Sequence, residues 1–516
     1  MIARTSAPER QPYHDAAAAA WAAAEYERCL QLCSAAQTDG AARVNHAVLR
    51  ARALLRLGRH ADVARGLNAL LSHEDLDVRL TVRGLIGVAR VRSGDASALS
   101  LLQAALADAA TASIGVRSEM AINVALAYYA QGDYAAADAS LDLVAPNTDI
   151  VYARALEFRG WTALARGDQE RATAWFMKEL DTHDRCNERD RYMEVNCTQA
   201  LAALALERFD WTAWAVVARR RARLEWSASS LQEHRMFVAM RAAVWAYDVE
   251  GDPQQAAWEA RCAEEWAPSE AFRVQALCCR AAVARKAREP ISQRNHVEVA
   301  YRLFNGLRRP LGRGDESMVP LVLAEELANA GRAGDAREML EVFRTRSISP
   351  VISMSHDPRV AGFERLVEGQ VFEAEGSFSE AIAAFREAFE FFSGTGSLRR
   401  SLTAAVRLLR LSPDDTYLWQ HVDLVVARTA KGSWIVSLAD GLRRAHAARR
   451  LTAVQRAYLR LLCDGKSNPE IARLRMRSVN TVRNQVATLF ETFDVQSRAE
   501  LVAQCARLGI LDSGAD

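Results

Sequence analysis

The chain has 516 residues, 50% hydrophobic and 25% charged, with a formal net charge of +2. That length exceeds one hydrophobic core, so several domains or an extended repeat array are expected. Abundant alanine, 12 prolines and 7% aromatics favour helix over strand, and no uncharged apolar run reaches the roughly 18 residues a membrane helix needs.

Residues 1–15 read as a ragged, mobile start. From Ala16 to Asp440 the pattern is helical and repetitive: an Ala/Leu-rich helix, a glycine beside a charged or small residue, then another Ala-rich helix. The turn glycines Gly58, Gly94, Gly132 and Gly167 are 36, 38 and 35 residues apart, and Gly251, Gly331 and Gly376 continue the series at wider intervals. Leu206-Glu207-Arg208-Phe209 is a copy without its glycine, and the copy around Arg285–Pro290 is obscure. A period of this size, with a helical hairpin per unit, predicts a solenoid in which each hairpin buries its apolar face against its neighbours. The copies resemble tetratricopeptide repeats, best over Asn123–Ala139 and Val371–Ala388, where Ala-x-x-x-Gly-Asp-Tyr-x-x-Ala is that family's central turn. Tryptophans Trp161, Trp211, Trp214, Trp245, Trp258 and Trp266 fall in helical segments and are expected to pack.

Ser347–Val360 and Ser393–Ser397 read as loops between helix pairs. Gly441–Arg450, with four arginines, joins the body to the C-terminal segment, as a basic helical connector or a flexible tether. The nine cysteines are scattered, odd in number and without paired metal-ligand spacing, which predicts buried thiols in a reducing cytoplasm.

The stretch 451–516 carries start signals for four short helices. Thr452 with Gln455, Ser467 with Glu470 and Ser497 with Glu500 have capping-box spacing, and Ser478 can cap a further helix. Gly465 and Asp494 suit left-handed positions after helices. Val454, Tyr458, Leu461 and Leu462 share one face of the first helix, and Val482, Val486, Leu489, Phe490 and Phe493 one face of the third. Two short helices, a tight turn and a polar outer face on the second are the elements of a helix-turn-helix. Residues 441–507 hold 13 Lys and Arg against 5 Asp and Glu, a net +8 that leaves −6 for the rest of the chain. A basic end on a mildly acidic body points to a nucleic-acid contact confined to that end.

The same stretch resembles the LuxR-type helix-turn-helix domain of bacterial transcription regulators. The residues that carry the resemblance are Leu451-Thr452, Leu459–Leu462, Gly465, Ser467-Asn468, Glu470-Ile471-Ala472, Ser478, Thr481-Val482, Val486, Leu489, Val495, Arg498, Glu500–Ala503 and Gly509-Ile510-Leu511. It implies that the third helix enters the major groove, with Arg483, Asn484 and Ala487 facing base edges and Thr481 and Gln485 near phosphates. Val482 belongs to the same DNA-binding segment, and Lys466, Arg475 and Arg477 are candidate phosphate contacts. Arg475 and Arg477 stand where the family buries apolar side chains. An outward pose would leave Leu474 and Met476 to fill the core. The last helix is the family's dimer contact, so a homodimer is implied.

Phosphate-loop, His-Glu-x-x-His and Gly-x-Ser-x-Gly motifs are absent from the sequence. The expectation is therefore an all-α protein that is not an enzyme and needs no cofactor or metal. It would be a cytoplasmic DNA-binding regulator whose repeat array senses a small-molecule effector or docks a protein, with double-stranded DNA as partner of the C-terminal domain. The alternative is a tetratricopeptide-like interaction scaffold whose helix-turn-helix has drifted and no longer reads specific DNA.

Overall fold

A computed structural model describes residues 11–35, 41–146, 149–224, 226–308, 311, 314–346 and 358–508, and every regular element among them is helical. Of the segments singled out in the sequence, residues 1–10, 347–357 and 509–511 lie outside that set, while Gln11 already begins the first helix. Contacts divide the chain into two compact units, Met1–Ala404 and Ala405–Asp516.

The first unit is built of helical hairpins: α1 (Gln11–Ala22) with α2 (Tyr26–Ala35), α3 (Ala41–Arg56) with α4 (His60–Leu67), α5 (Leu76–Ser93) with α6 (Ala98–Asp108), α7 (Ile114–Ala130) with α8 (Tyr134–Leu141), and α9 (Ile150–Ala165) with α10 (Gln169–Arg185). They continue as α11 (Arg191–Arg208) with α12 (Trp211–Arg223), α13 (Gln232–Trp245) with α14 (Pro253–Glu265), α15 (Glu270–Lys286) with α16 (Pro290–Asn305), α17 (Val319–Asn329) with α18 (Ala333–Arg346), and α19 (Pro358–Glu375) with α20 (Phe378–Gly394). Each helix packs on its hairpin partner, and first helices pack on the first helices of neighbouring hairpins.

The Gly-Asp turns explain themselves chemically. Gly132 has φ +80°, a left-handed residue that ends α7, and the N–H after it returns to Tyr128 O at 3.0 Å. Asp133 then caps α8 by accepting from Ala136 N–H at 3.0 Å. The copy without a glycine has the same geometry, with Phe209 itself at φ +53° and Asp210 as the cap of α12. In the obscure copy Arg288, at φ +61°, stands in the glycine's place, and Ala24, at φ +61°, does so between α1 and α2. A side chain there costs about 1–2 kcal/mol, which surrounding packing must offset.

Two other glycines are set by close approach. An added Cβ on Gly160 of α9 would lie 2.5 Å from the Phe176 ring of α10, and one on Gly369 of α19 would lie 2.6 Å from the Phe385 ring of α20. Glycine and ring are sixteen residues apart in both hairpins, and both rings are fully buried. The tryptophans divide. Trp245 is buried and stacks on Trp214 at 4.6 Å, with Trp211 edge-on at 5.1 Å. Trp211 keeps an exposed side although its ring meets Trp245, and Trp258 is exposed, against the expectation that it packs.

The array also returns on itself. The Ser230 hydroxyl donates to Ala24 O at 2.5 Å across 206 residues of sequence, and Val195, Ala228 and Leu231 share one apolar cluster with α1 to α5. Further along, Arg399 donates to Glu207 at 3.0 Å across 192 residues.

The second unit begins within α21 (Leu398–Leu411) and continues with α22 (Thr416–Val426), α23 (Trp434–Arg449), α24 (Ala453–Cys463), α25 (Asn468–Leu474), α26 (Val479–Phe493) and α27 (Arg498–Leu508). Gly441–Arg449 is helical, the latter part of α23, and that helix packs against α26. Ala448 and Leu451 join Tyr458, Leu462, Ile471, Val482, Leu489, Phe493 and Leu501 in one core. Val454 is half exposed instead of packed. Eight of the nine cysteines are buried and none is in a disulfide.

Candidate functional site

Local chemistry places α24 to α27. Thr452 and Gln455 form a reciprocal capping box, with Gln455 N–H donating to the Thr452 hydroxyl at 3.1 Å and Thr452 N–H donating to Gln455 Oε1 at 2.9 Å. Glu470 accepts from both the Ser467 hydroxyl at 2.6 Å and the Ser467 N–H at 2.7 Å, and those donors hold its carboxyl below the usual range. Thr481 N–H donates to the Ser478 hydroxyl at 3.1 Å and starts α26. Ser497 caps α27 through Glu500 N–H, but the Glu500 carboxylate accepts from Gln496 N–H, one residue earlier than a capping box requires. Asp494, at φ +51°, ends α26 in the left-handed region, as read from the sequence.

The turn between α25 and α26 runs through Met476 at φ +49°, with Arg477 N–H returning to Ala472 O at 2.9 Å. This turn carries Arg475, Met476 and Arg477 outward together. Leu474 and Met476 do not fill the core: they are 58% and 93% exposed. Ile471 and Ala472 supply the buried face of α25 instead, so no charge is forced inside. The Arg475 guanidinium lies 5.8 Å from the centre of the Tyr458 ring.

On α26, Thr481, Arg483, Asn484 and Ala487 are exposed and Gln485 is half-buried. Val482 is the correction among the predicted site residues. It is fully buried in the core, one of the apolar residues that hold α26 down, and its side chain is turned away from any ligand of the outer face. Arg483 reaches back to Asn480 Oδ1 at 3.4 Å. Lys466, Arg473, Arg475 and Arg477 are exposed around the same turn, and among the described residues none of these, nor Arg483, has an ion-pair partner. Arg498 is structural: its guanidinium donates to Leu462 O at 3.0 Å and to Lys466 O, tying α27 to the end of α24.

A second constellation lies inside the first unit, where the return of the array brings side chains of several hairpins together. Arg52 of α3 pairs with Glu119 of α7 at 2.9 Å, and Arg154 of α9 approaches the same carboxylate at 3.8 Å. Burial pushes that carboxyl up, but the two guanidinia bring it below the usual range. Arg56 pairs with Asp190 at 3.5 Å and lies 4.1 Å from the Tyr192 ring centre. Glu157 accepts from Asn196 at 2.6 Å, and its burial raises its pKa. His234 stands edge-on to Tyr192 at 5.0 Å, and burial, with Arg56 and Arg241 nearby, lowers it to about 4, so it is neutral.

Among the described residues, one group has metal-ligand geometry. His183, Asp184 and Glu194 bring ligand atoms within 4.8 Å of one another. Arg220 already occupies it, donating to Glu194 at 2.6 Å and to Asp184 at 2.5 Å, while His183 Nε2 accepts from Asp190 N–H. A guanidinium there supplies the positive charge an ion would bring.

No family model and no curated protein matches the chain. Among solved structures it is similar to the apo form of the quorum sensor NprR from B. thuringiensis, at 14% identity and a TM-score of 0.41, covering 74% of this chain and 98% of that one. It is also similar to a Rap protein complexed with competence and sporulation factor, at 12% identity and a TM-score of 0.32, covering 80% and 99%. A monomeric IFIT1 mutant with Gppp-AAAA matches at 14% identity and 0.38, covering 85% and 94%. No assignment of function follows from likeness at this level.

The inner charged constellation was not legible as a site. In sequence, Arg56, Arg92, Glu157 and His234 look like solvated positions on separate amphipathic helices. The only available signal was their place on the first helix of each hairpin, which needs the helix phase and the superhelical return together.

Proposed function

We propose that this protein is a DNA-binding transcriptional regulator, with α26 as its reading helix and the repeat array as the part that receives an effector. The observation that carries the proposal is the outer face of α25–α26. Arg483 and Asn484 stand exposed on a helix whose opposite face is locked into a core, and Lys466, Arg473, Arg475 and Arg477 surround the turn without carboxylate partners among the described residues. An arginine offers two donors to guanine and an asparagine can pair adenine. Unpaired basic residues around the turn suit phosphates, whose neutralisation supplies the sequence-independent part of affinity. A fifteen-residue helix is about 22 Å long, enough to lie along several base pairs. The likeness of 451–511 to LuxR-type domains supports the same pose and adds α27 as a pairing surface. Along α27, Ala499 and Ala503 are exposed while Leu501 and Cys505 face the core, so small residues line the outer side.

The test is selection of bound duplexes from random sequence by the full-length protein. Enrichment of a two-fold symmetric site supports the regulator and its dimer. Recovery of DNA without any enriched sequence, or of none, leaves the array as an interaction scaffold with a drifted helix-turn-helix.

A further inference from the structure

Within the inner constellation, positive charge exceeds its partners. Arg52 and Arg154 share Glu119, and Arg56 has Asp190. Arg92, on α5, sits among Arg56, Tyr192 and Glu157, yet among the described residues no carboxylate lies within ion-pair distance of it. Its Nε is buried and has no hydrogen-bond partner. Glu157 does not serve it, because that carboxylate is held by Asn196 and Trp161. Two more polar atoms beside Arg56 and Tyr192 are buried without partners, the Tyr26 hydroxyl and His234 Nδ1. A buried guanidinium without a counter-charge costs several kcal/mol, and a buried donor left unmade costs about 1–3 kcal/mol. Three such groups around one arginine–tyrosine contact are the polar lining a bound anion would satisfy. Tyr26 and His234 are buried, while Arg92 itself is only partly so, and its side is where the lining meets solvent.

We propose that the interior of the array at Arg92, Tyr26 and His234 binds the oxyanion group of a small ligand, a phosphate or a carboxylate. Arg92 supplies the charge and an N–H, Tyr26 a hydroxyl, and Arg56 with Tyr192 the wall against which the ligand lies. Glu157 and Asp190 oppose it, and they limit the charge of the ligand to one such group. This deepens the regulator reading by naming the class of effector, and it rests on that reading only for the consequence of binding, not for the binding itself.

The experiment uses the full chain and follows thermal unfolding while inorganic phosphate, or separately acetate, replaces chloride at fixed ionic strength. One of the two is expected to raise the melting temperature by at least about 2 °C at millimolar concentration; which one does so assigns phosphoryl or carboxylate. Arg92→Met should lose that rise and, having shed an unpaired charge, should melt no lower than wild type without the anion. Tyr26→Phe removes only a hydroxyl that has no partner, and should weaken the response about tenfold; it keeps the test open if Arg92→Met does not fold. Arg83→Met, which alters an exposed pair with Asp108, should respond as wild type does. The proposal is overturned if neither anion exceeds chloride, or if Arg92→Met and Tyr26→Phe respond unchanged. DNA binding measured in parallel separates the two readings. A melting response lost in the variants, with DNA affinity indifferent to the anion, keeps the site and removes its regulatory role.

Discussion

Glu207 of α11 and Arg399 of α21 are 192 residues apart in sequence and meet at 3.0 Å, with Arg400 at 3.5 Å and the Ser397 hydroxyl on the same carboxylate. Burial disfavours the Glu207 anion, but the two guanidinia and the hydroxyl more than reverse this and hold its pKa at about 2. The contact fixes how far the array winds before one stretch lies beside another.

The pH dependence follows from that carboxylate. Its pKa falls from an ordinary 4.5 to about 2 on folding, so its contribution, about 3 kcal/mol, is complete above pH 4.5 and lost as pH drops from there toward 2. Glu207→Gln should destabilise the first unit by roughly 3–5 kcal/mol at pH 7, because Arg399 and Arg400 are left without a counter-charge. Denaturant unfolding at pH 7 and pH 3 checks this: the gap between wild type and variant must narrow at pH 3.

On the proposed regulator reading, DNA recognition divides between two sets of residues. Arg483→Ala is expected to cost about 1–3 kcal/mol on a selected site and much less on random DNA. Replacing Arg475 and Arg477 with alanine together should weaken both DNAs alike and lower the slope of log affinity against log salt by about 2. Binding titrations at several salt concentrations measure both, and a specific effect from the turn pair would show that the roles are exchanged.

Close packing makes a third prediction. Gly160→Ala and Gly369→Ala each drive a Cβ into a buried phenylalanine ring and should destabilise by about 1–3 kcal/mol. Gly334→Ala, in a helix with open space around it, should be neutral or stabilising. Equal melting temperatures for all three would mean the rings can turn aside at no cost.

Met476 gives a prediction of the opposite sign. It is 93% exposed and left-handed at φ +49°, so its side chain contributes strain and no burial. Met476→Gly should slow hydrogen exchange across 468–493, equivalent to up to about 1 kcal/mol, without changing the preferred DNA sequence. Faster exchange there would show that the methionine packs on something in solution.

The sequence displayed what is local and concealed what is collective. Gly94, Gly132 and Gly167 were legible because a left-handed turn after an apolar helix selects glycine, and their φ values are +78°, +80° and +82°. Phe209 shows that the turn survives the loss of that residue, so hairpins can be counted even where the marker fails. Val482 reads both as part of the apolar face of α26 and as part of the DNA-binding segment; its burial agrees with the first reading, because a step of about 100° along a helix turns Arg483 to solvent and its neighbour into the core. Leu474 and Met476 were misplaced. Hydrophobicity suggested burial, while the turn geometry that exposes them is invisible without coordinates. The hidden cluster of Arg92, Tyr26 and His234 depends on contacts between hairpins far apart in sequence, which periodicity cannot encode.

The return of the array has one more consequence. A strictly neighbour-to-neighbour stack can gain or lose a unit anywhere and still close up its core. Here Ser230 must reach Ala24, and Arg399 must reach Glu207, after a set number of hairpins. Inserting or deleting one hairpin between those partners would leave every individual repeat intact and yet carry each residue past its mate. The number of repeats in this protein is therefore a structural constant, and its lineage is expected to vary in the sequence of its hairpins long before it varies in their count.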